Sequence, residues 1–338
     1  ASDVYKRQVV NVTLEEDSKM LDDVVVIGYG TQAKSHLTGS ISKLEGEKLI
    51  NVPVSDVTTA LQGAMTGLTV SNETSEVGVT PSIRVRGTGS ISADSEPLVI
   101  IDGFPVSGGL SSINAADVKS IEILKDAASA AIYGAQAANG VVLVTTKSGK
   151  EGTCRISYDG FAGWQTIGRK YSMLNASEYM SIMDEARLNS GMSPVDWASL
   201  SSIHDARGNI YDTDWIDQAI EDGGLTTSHN LSFTGGSKTS TYAISGGYTG
   251  QDGLIGGSDV SYYKRYNFRV NSEHKMWNGL VTVGEHVGFV WKDTRGMGTG
   301  NIWNNNLRSA FSASPIIPVY DADGNYNSCL LYTSDAAD

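Results

Sequence analysis

The chain has 338 residues, a length suited to two ordinary domains, and 25 Lys+Arg against 38 Asp+Glu give a formal net charge of −13. That balance excludes the basic face that nucleic acid requires. The 38 glycines, 7 prolines and 15 tyrosines favour strands and turns, while two cysteines, Cys154 and Cys329, exclude a disulfide framework and a four-cysteine zinc site. No apolar run reaches the roughly 18 residues of a transmembrane helix, a test that is blind to membrane β-strands.

In chain order, residues 1–8 (ASDVYKRQ) and 329–338 (CLLYTSDAAD) match nothing in their surroundings. They resemble translated sequencing-adaptor read-through and are set apart as non-native ends. The chain opens on Ala1 without a secretory leader, so it is either mature or a piece. Residues 9–14 (VVNVTL) alternate as one strand, and 15–20 form a polar linker. Residues 21–29 (LDDVVVIGY) are β-branched at their centre and read as extended. Over 54–68 the period changes: Ala60, Leu61, Ala64, Met65 and Leu68 share a helical face, with Ser55 or Asp56 as N-cap. Residues 82–86, 98–102, 118–125 and 140–147 read as strands. Between the last two, Asp126 caps a short alanine-rich helix over 127–133 that Gly134 stops. Residues 21–150 are thus a small mixed α/β unit.

After residue 150 the texture changes to two-faced strands. Ile156, Tyr158, Ala162 and Trp164 oppose Ser157, Asp159 and Gln165. His229, Leu231 and Phe233 alternate with Ser228, Asn230, Ser232 and Thr234. Tyr242, Ile244 and Tyr248 share a face, and Tyr266, Phe268 and Val270 oppose Arg265, Asn267, Arg269 and Asn271. Val281, Val283, Val287, Phe289 and Trp291 form the fifth face, interrupted by Glu285. A helix over 176–189 sits in the long first connection; later connections alternate between tight and long, as in outer-membrane barrels. A soluble β-sandwich also alternates, but aromatics at segment ends (Trp164, Tyr248, Tyr262, Tyr263, Trp291) favour a membrane girdle. Five strands cannot close a barrel, so the residues give a small mixed α+β unit followed by the first antiparallel strands of a truncated transmembrane β-barrel.

The segments LDDVVVIGYGTQ (21–32), SIRVRGTGS (82–90), PLVIIDGFP (97–105) and VKSIEILKDAASAAIYGAQAANGVVLVTTKSG (118–149) closely resemble the plug of SusC/RagA-type TonB-dependent outer-membrane transporters. HNLSFTGGS (229–237) and PIIPVYDADGNY (315–326) extend the resemblance weakly into the barrel, and residues 9–20 resemble the tail of a carboxypeptidase-like regulatory domain. The implied domains are 21–150 for the plug with its TonB-contact segment and 151–328 for the first barrel strands and loops. The resemblance implies import of an oligosaccharide or peptide across a bacterial outer membrane, with no enzymatic step. The implied partners are TonB with ExbB and ExbD, a SusD-like surface lipoprotein, the glycan or peptide ligand and outer-membrane lipid. Ala135-Gln136 depart from the family's usual Ser-Arg and remove a positive charge from the plug.

Asp22, Asp23, Val24, Val25, Val26, Ile27 and Gly28 are the expected TonB-contact strand, acting by main-chain pairing to a sheet edge. The overlapping glycines 28 and 30 with Ala33 match a dinucleotide fingerprint, but no helical pattern follows them. Arg84 and Arg86 share one strand face and are expected to hold carboxylates of the barrel wall. Asp102-Gly103 reads as a structural turn. Ser90, Ser92, Ser107 and Ser111 on plug loops, and Trp303 in an outer loop, are the ligand-facing candidates. Asp321 to Gly324 reads as a turn, since the ligand series of a calcium loop is missing. No H-E-x-x-H or G-x-S-x-G motif occurs, and no cofactor, metal or catalytic residue is expected. Competing readings are a siderophore or cobalamin receptor, a soluble carbohydrate-binding or adhesion protein, and a nucleotide-dependent enzyme.

Overall fold

The computed structural model describes residues 24–27, 30–33, 41–50, 52, 56–72, 76–85, 87, 95–125, 130–152, 154–297, 305–321, 323–325 and 327. The readings of 1–8, 9–20, 127–129 and 329–338 lie outside them. At the front, β1 (Val24–Ile27) pairs antiparallel with β2 (Gly30–Ala33). A strand therefore follows the glycines where a dinucleotide site needs a helix. β2 is the one neighbour of β1 among the described residues.

The plug continues with β3 (Ile41–Glu45), α1 (Gly46–Ile50), α2 (Val57–Ala60), β4 (Leu68–Ser71), β5 (Ser82–Val85), β6 (Leu98–Ile101), β7 (Phe104–Pro105), β8 (Val118–Leu124) and β9 (Val141–Thr146). Five of these strands form one sheet in the order β3-β8-β9-β6-β7, parallel only between β6 and β9; β4 and β5 make a separate ribbon. Val99, Ile101, Ile121, Ile123, Val142 and Val144 face one side of the sheet, under Leu49, Val57 and Leu61 of the helical segment. Ile100, Leu124, Val141 and Leu143 face the other, under Ala130 and Ala137. Burial on both faces explains why β6 (LVII) and β9 (VVLVTT) read as apolar runs, while β8 (VKSIEIL) carries Ser120 and Glu122 among its apolar residues. Each fully buried Leu or Ile contributes about 1.5–3 kcal/mol.

Two expected helices are shorter than the pattern predicts. Asp56 does cap α2, its carboxylate accepting from Thr58 N at 2.7 Å, but the helix closes at Leu61. Gly63 (φ 71°) and Gly67 (φ 75°) take left-handed turns that redirect Leu68 into β4. The alanine-rich segment is a 3-10 turn, Ala131–Ala137, with Gly134 at φ 68° inside it rather than beyond its end.

The rest of the chain is a meander with long excursions: β10 (Cys154–Gln165), α3 (Ala176–Asn189), α4 (Trp215–Ala219), β11 (Gly224–Gly236), β12 (Ser240–Asp252), β13 (Tyr262–Met276), β14 (Val281–Arg295) and α5 (Asn306–Ser312). β10 to β14 pair antiparallel in sequence order and outrun the stretches their periodicity marked. They are the two-faced wall. No helix among the described residues is long and apolar enough to cross a membrane.

Tight turns join β11 to β12 and β13 to β14 on one side of the wall. On the other side, the long connection 166–223 builds a small core of its own from Ala176, Ile203 and Ile316, with Trp197 and Tyr179 against it. The stretch following α5 belongs to that core. Thr213 N donates to Pro315 O at 2.8 Å and Trp215 Nε1 to Ser314 O at 2.9 Å. α3 starts on a full capping box between Asn175 and Glu178. Asp321 turns as expected, accepting from the amides of Asp323 and Asn325.

Candidate functional site: the plug–wall seam

The inward faces of the wall strands meet the plug, and the ladder register fixes which residues share a row. Asp159, Asn230, Gly247 and Asn267 form one row; Ser232, Ser245, Arg269 and Gly288 another; Thr234, Ala243, Asn271 and His286 a third. β13 supplies an alternating comb, Arg265, Asn267, Arg269 and Asn271, whose side chains all point at the plug.

One contact is an amide clasp. Asn114 sits ahead of a 3-10 turn, and its Oδ1 accepts from Ala116 N at 3.1 Å. That fixes the amide orientation and frees Nδ2 to donate to Asn267 Oδ1 at 3.1 Å and Asn230 Oδ1 at 3.3 Å. The three side chains converge over Gly247. A Cβ there would stand 2.8 Å from each wall oxygen and 2.9 Å from Asn114 Nδ2, so only glycine admits the clasp.

A second contact is a knot around Asp102. The turn between β6 and β7 holds Asp102 at φ 49° and Gly103 at φ 89°, an Asp-Gly hairpin turn. The Asp102 carboxylate leaves its own turn and accepts from Thr146 N at 2.8 Å and Thr146 Oγ1 at 2.6 Å. From the wall, Arg269 Nη1 approaches it to 3.5 Å and His286 Nδ1 to 3.7 Å, with the carboxylate side chain only 8% exposed. Asn271 Nδ2 donates to Thr146 Oγ1 at 2.5 Å and to Lys147 O at 2.9 Å. A carbonyl can only accept, so Asn271 Oδ1 faces His286, whose Nδ1 at 3.1 Å carries the proton between them. A buried carboxylate without these donors would be costly.

Two further bridges flank these. Lys292 Nζ donates to Ser111 Oγ at 2.7 Å. Asp117 is buried beside Ser245; burial pushes its carboxyl above the ordinary 3.8, against the opposing pull of the Ser245 hydrogen bond, Arg269, Lys147 and Arg265. Beside the clasp lies a cavity of about 440 Å³ lined by Asp56, Asn114, Asp159, Asn230 and Arg265. Arg265 is 3% exposed, and its Nε and Nη1 find no acceptor among the described residues.

The structure places several of the expected site residues. Arg84 lies opposite Thr69 in the β4–β5 ribbon. A charge pair between Arg269 and Asp102 puts a carboxylate on the plug and a guanidinium on the wall. Ser111 is buried, donates to Gly108 O and accepts from Lys292. Ser107 is exposed and lines a cavity of about 400 Å³ together with Gln136. Val24, Val25, Val26 and Ile27 form β1; Asp22, Asp23, Gly28, Arg86, Ser90, Ser92 and Trp303 lie outside the described residues. Asp102, Asn114, Thr146 and His286 were not anticipated. The one signal for them was the Arg-Asn-Arg-Asn comb, a face richer in donors than a merely solvated surface needs.

A plug packed by polar side chains onto the inner face of two-faced antiparallel strands is the architecture of a TonB-dependent receptor. The family model for the TonB-dependent receptor plug domain matches residues 33–141. TonB-dependent receptor P26 of Formosa agariphila is 37% identical over 94% of this chain and 31% of its own length. TonB-dependent receptor SusC of Bacteroides thetaiotaomicron is 30% identical over 94% of this chain and 30% of its own length. Among solved structures, the RagAB peptide importer in its open-open state superposes with a TM-score of 0.75 at 28% identity, covering 90% of this chain and 36% of that one. The chain belongs to the SusC/RagA-type TonB-dependent receptors and spans about three tenths of the length of the curated relatives it matches.

Proposed function

We propose that the protein takes part in TonB-dependent import of a nutrient, an oligosaccharide or a peptide, across the bacterial outer membrane. The observation that carries this reading is the outward face of the wall. Register aligns His229, Tyr248, Tyr266 and Trp291 in one row, then Leu231, Phe268 and Phe289, then Phe233, Ile244, Val270 and Val287. Phe289 is 62% and Val287 54% exposed, which no water-soluble face of this size sustains. The Lys264–Asp293 row bounds the band on one side and the Ser272–Glu285 row on the other, so Glu285 marks an edge instead of interrupting a strand. Eight residues of strand span about 26 Å, or about 20 Å after a ~40° tilt, close to the ~25 Å apolar band of outer-membrane barrels. Tyr248, Tyr266 and Trp291 stack as neighbours in the row nearest the charged rim, where a girdle belongs.

In this reading the polar seam holds the plug across the lumen, and β1 offers a backbone edge to TonB by strand addition, driven through ExbB and ExbD. Asp22, Asp23 and Gly28 complete that contact segment. A SusD-like lipoprotein covers the outer mouth; the names SusC and RagAB support that partner class, and the peptide importer supports peptide as one ligand class. Ser90, Ser92, Ser107, Ser111 and Trp303 remain the ligand-facing candidates. No cofactor or catalytic step is invoked. A peptide of residues 21–30 is expected to bind the periplasmic domain of TonB in a pull-down, and a scrambled peptide is not; equal capture of both would remove the TonB reading.

A further inference from the structure

Two basic side chains stand side by side on the inner face of the wall. Phe161, Ser228, Thr249, Arg265 and Lys292 form one row across β10 to β14, so Arg265 and Lys292 are direct cross-strand neighbours. Like charges placed opposite each other repel. Lys292 donates to the Ser111 hydroxyl at 2.7 Å, which brings no negative charge. Arg265 is 3% exposed and lines the cavity of about 440 Å³ beside the amide clasp. Its Nε and Nη1 lack an acceptor among the described residues, and so does Asn230 Nδ2 on the same cavity. Asp56 and Asp159 also line the cavity, but Asp56 Oδ1 is engaged by Thr58 N at 2.7 Å. The unmet groups facing this space are therefore N–H donors, and a buried guanidinium is among them.

That asymmetry defines what fits. Water fills a polar cavity and satisfies donors, yet it leaves the guanidinium without a counter-charge, and an uncompensated buried charge is costly. A neutral polyol brings hydroxyls that need acceptors as well as donors. A carboxylate or a phosphate-type group brings acceptors alone together with the missing charge, and hydrogen bonds between ionised partners are the strong ones. At ~30 Å³ for each water, the volume admits such an ion with several waters around it. We propose that this cavity is a binding site for a small oxyanion, whose oxygens accept from a free guanidinium N–H of Arg265 and from Asn230 Nδ2. The site lies inside the seam and is independent of the import reading.

The test uses the full-length receptor in detergent, freed of oxyanions by exchange into a chloride buffer. Equilibrium dialysis against [35S]sulfate is expected to show about one ion bound per receptor, since Arg265 offers a single buried cationic site of this kind. Acetate and inorganic phosphate are expected to displace it, and their relative strength tells a planar from a tetrahedral occupant. Arg265→Gln is expected to weaken binding by at least about tenfold, the scale of one charge-assisted hydrogen bond. Asn230→Asp is expected to do the same by another route: it keeps an oxygen for Asn114 and supplies a built-in carboxylate that excludes the ion. Lys238→Gln, in the exposed turn between β11 and β12, keeps wild-type binding. Heat-modifiable migration verifies the barrel of each variant, and if Arg265→Gln fails to fold, Asn230→Asp decides. Crystals soaked in selenate are expected to show an anomalous peak within hydrogen-bond reach of Arg265. Absence of bound sulfate, or binding unchanged in the folded variants, overturns the site. Selenate peaks elsewhere with none at Arg265 mean an adventitious ion only and overturn it equally. TonB takes no part, so this outcome is separate from that of the residue 21–30 peptide.

Discussion

Gly247 shows how much of the seam turns on one missing methyl group. Asn114 can reach two wall asparagines only because the strand between them carries no side chain at that row. Gly247→Ala should push the clasp apart at a cost of about 1–3 kcal/mol, as overpacking does. The measurable outcome is faster trypsin cleavage within the plug while the barrel keeps its heat-modifiable migration. Asp117 makes the opposite point about charge. Burial holds its carboxyl above the ordinary 3.8, so between 3.8 and its native value the folded chain keeps a proton that the unfolded chain has lost. Stability therefore falls as pH rises through that window and is fullest below it. Asp117→Asn, which can still bond Ser245, is expected to raise the plug's melting temperature at pH 7 and flatten its dependence between pH 3.5 and 7. A variant that melts lower at pH 7 would contradict this account.

Among the elements, the wall strands carry their orientation in every second residue, and their register converts five separate patterns into one band. Depth within that band sets the cost of a charge. Phe289→Arg, on a central row, should destabilise the barrel by about 2–4 kcal/mol, and an added charge near the Lys264–Asp293 rim by about 0–1 kcal/mol. Denaturant titration of the refolded receptor in lipid reads the difference; equal costs would refute the assigned depth. The alternation was legible in sequence because one face meets apolar surroundings and the other polar ones. β6 and β9 were legible for a different reason, as mainly β-branched runs buried on both sides. β3, α1 and β4 were not: ISKLE and GEKLI mix charge with apolar residues, and the left-handed turns at Gly63 and Gly67 break a pattern that otherwise continues as helix. Arg84 and Arg86 drew attention because alternate positions put both guanidinium groups on one strand face. Asp102 did not, because an Asp-Gly turn looks complete in itself. Its partners are Thr146 and Arg269, and sequence spacing carries no trace of contacts that distant.

At the scale of the whole molecule, two surfaces of one sheet divide the labour: a polar lining that grips a separate α+β unit, and an apolar exterior with charged rims. Polar bridges to the wall come from Asp102, Ser111, Asn114, Thr146 and Lys147, and ahead of them Gly78 packs against Tyr263 and Thr294. The small core on the long-loop side has a consequence beyond its size. The chain that leaves β14 returns through Ser314, Pro315 and Ile316 to brace the excursion that follows β10, so the first and last described loops fold as a single cap. Whatever lands on one of those loops displaces the other, and the first and fifth staves of the wall, although far apart in the row, share the same load at their tops.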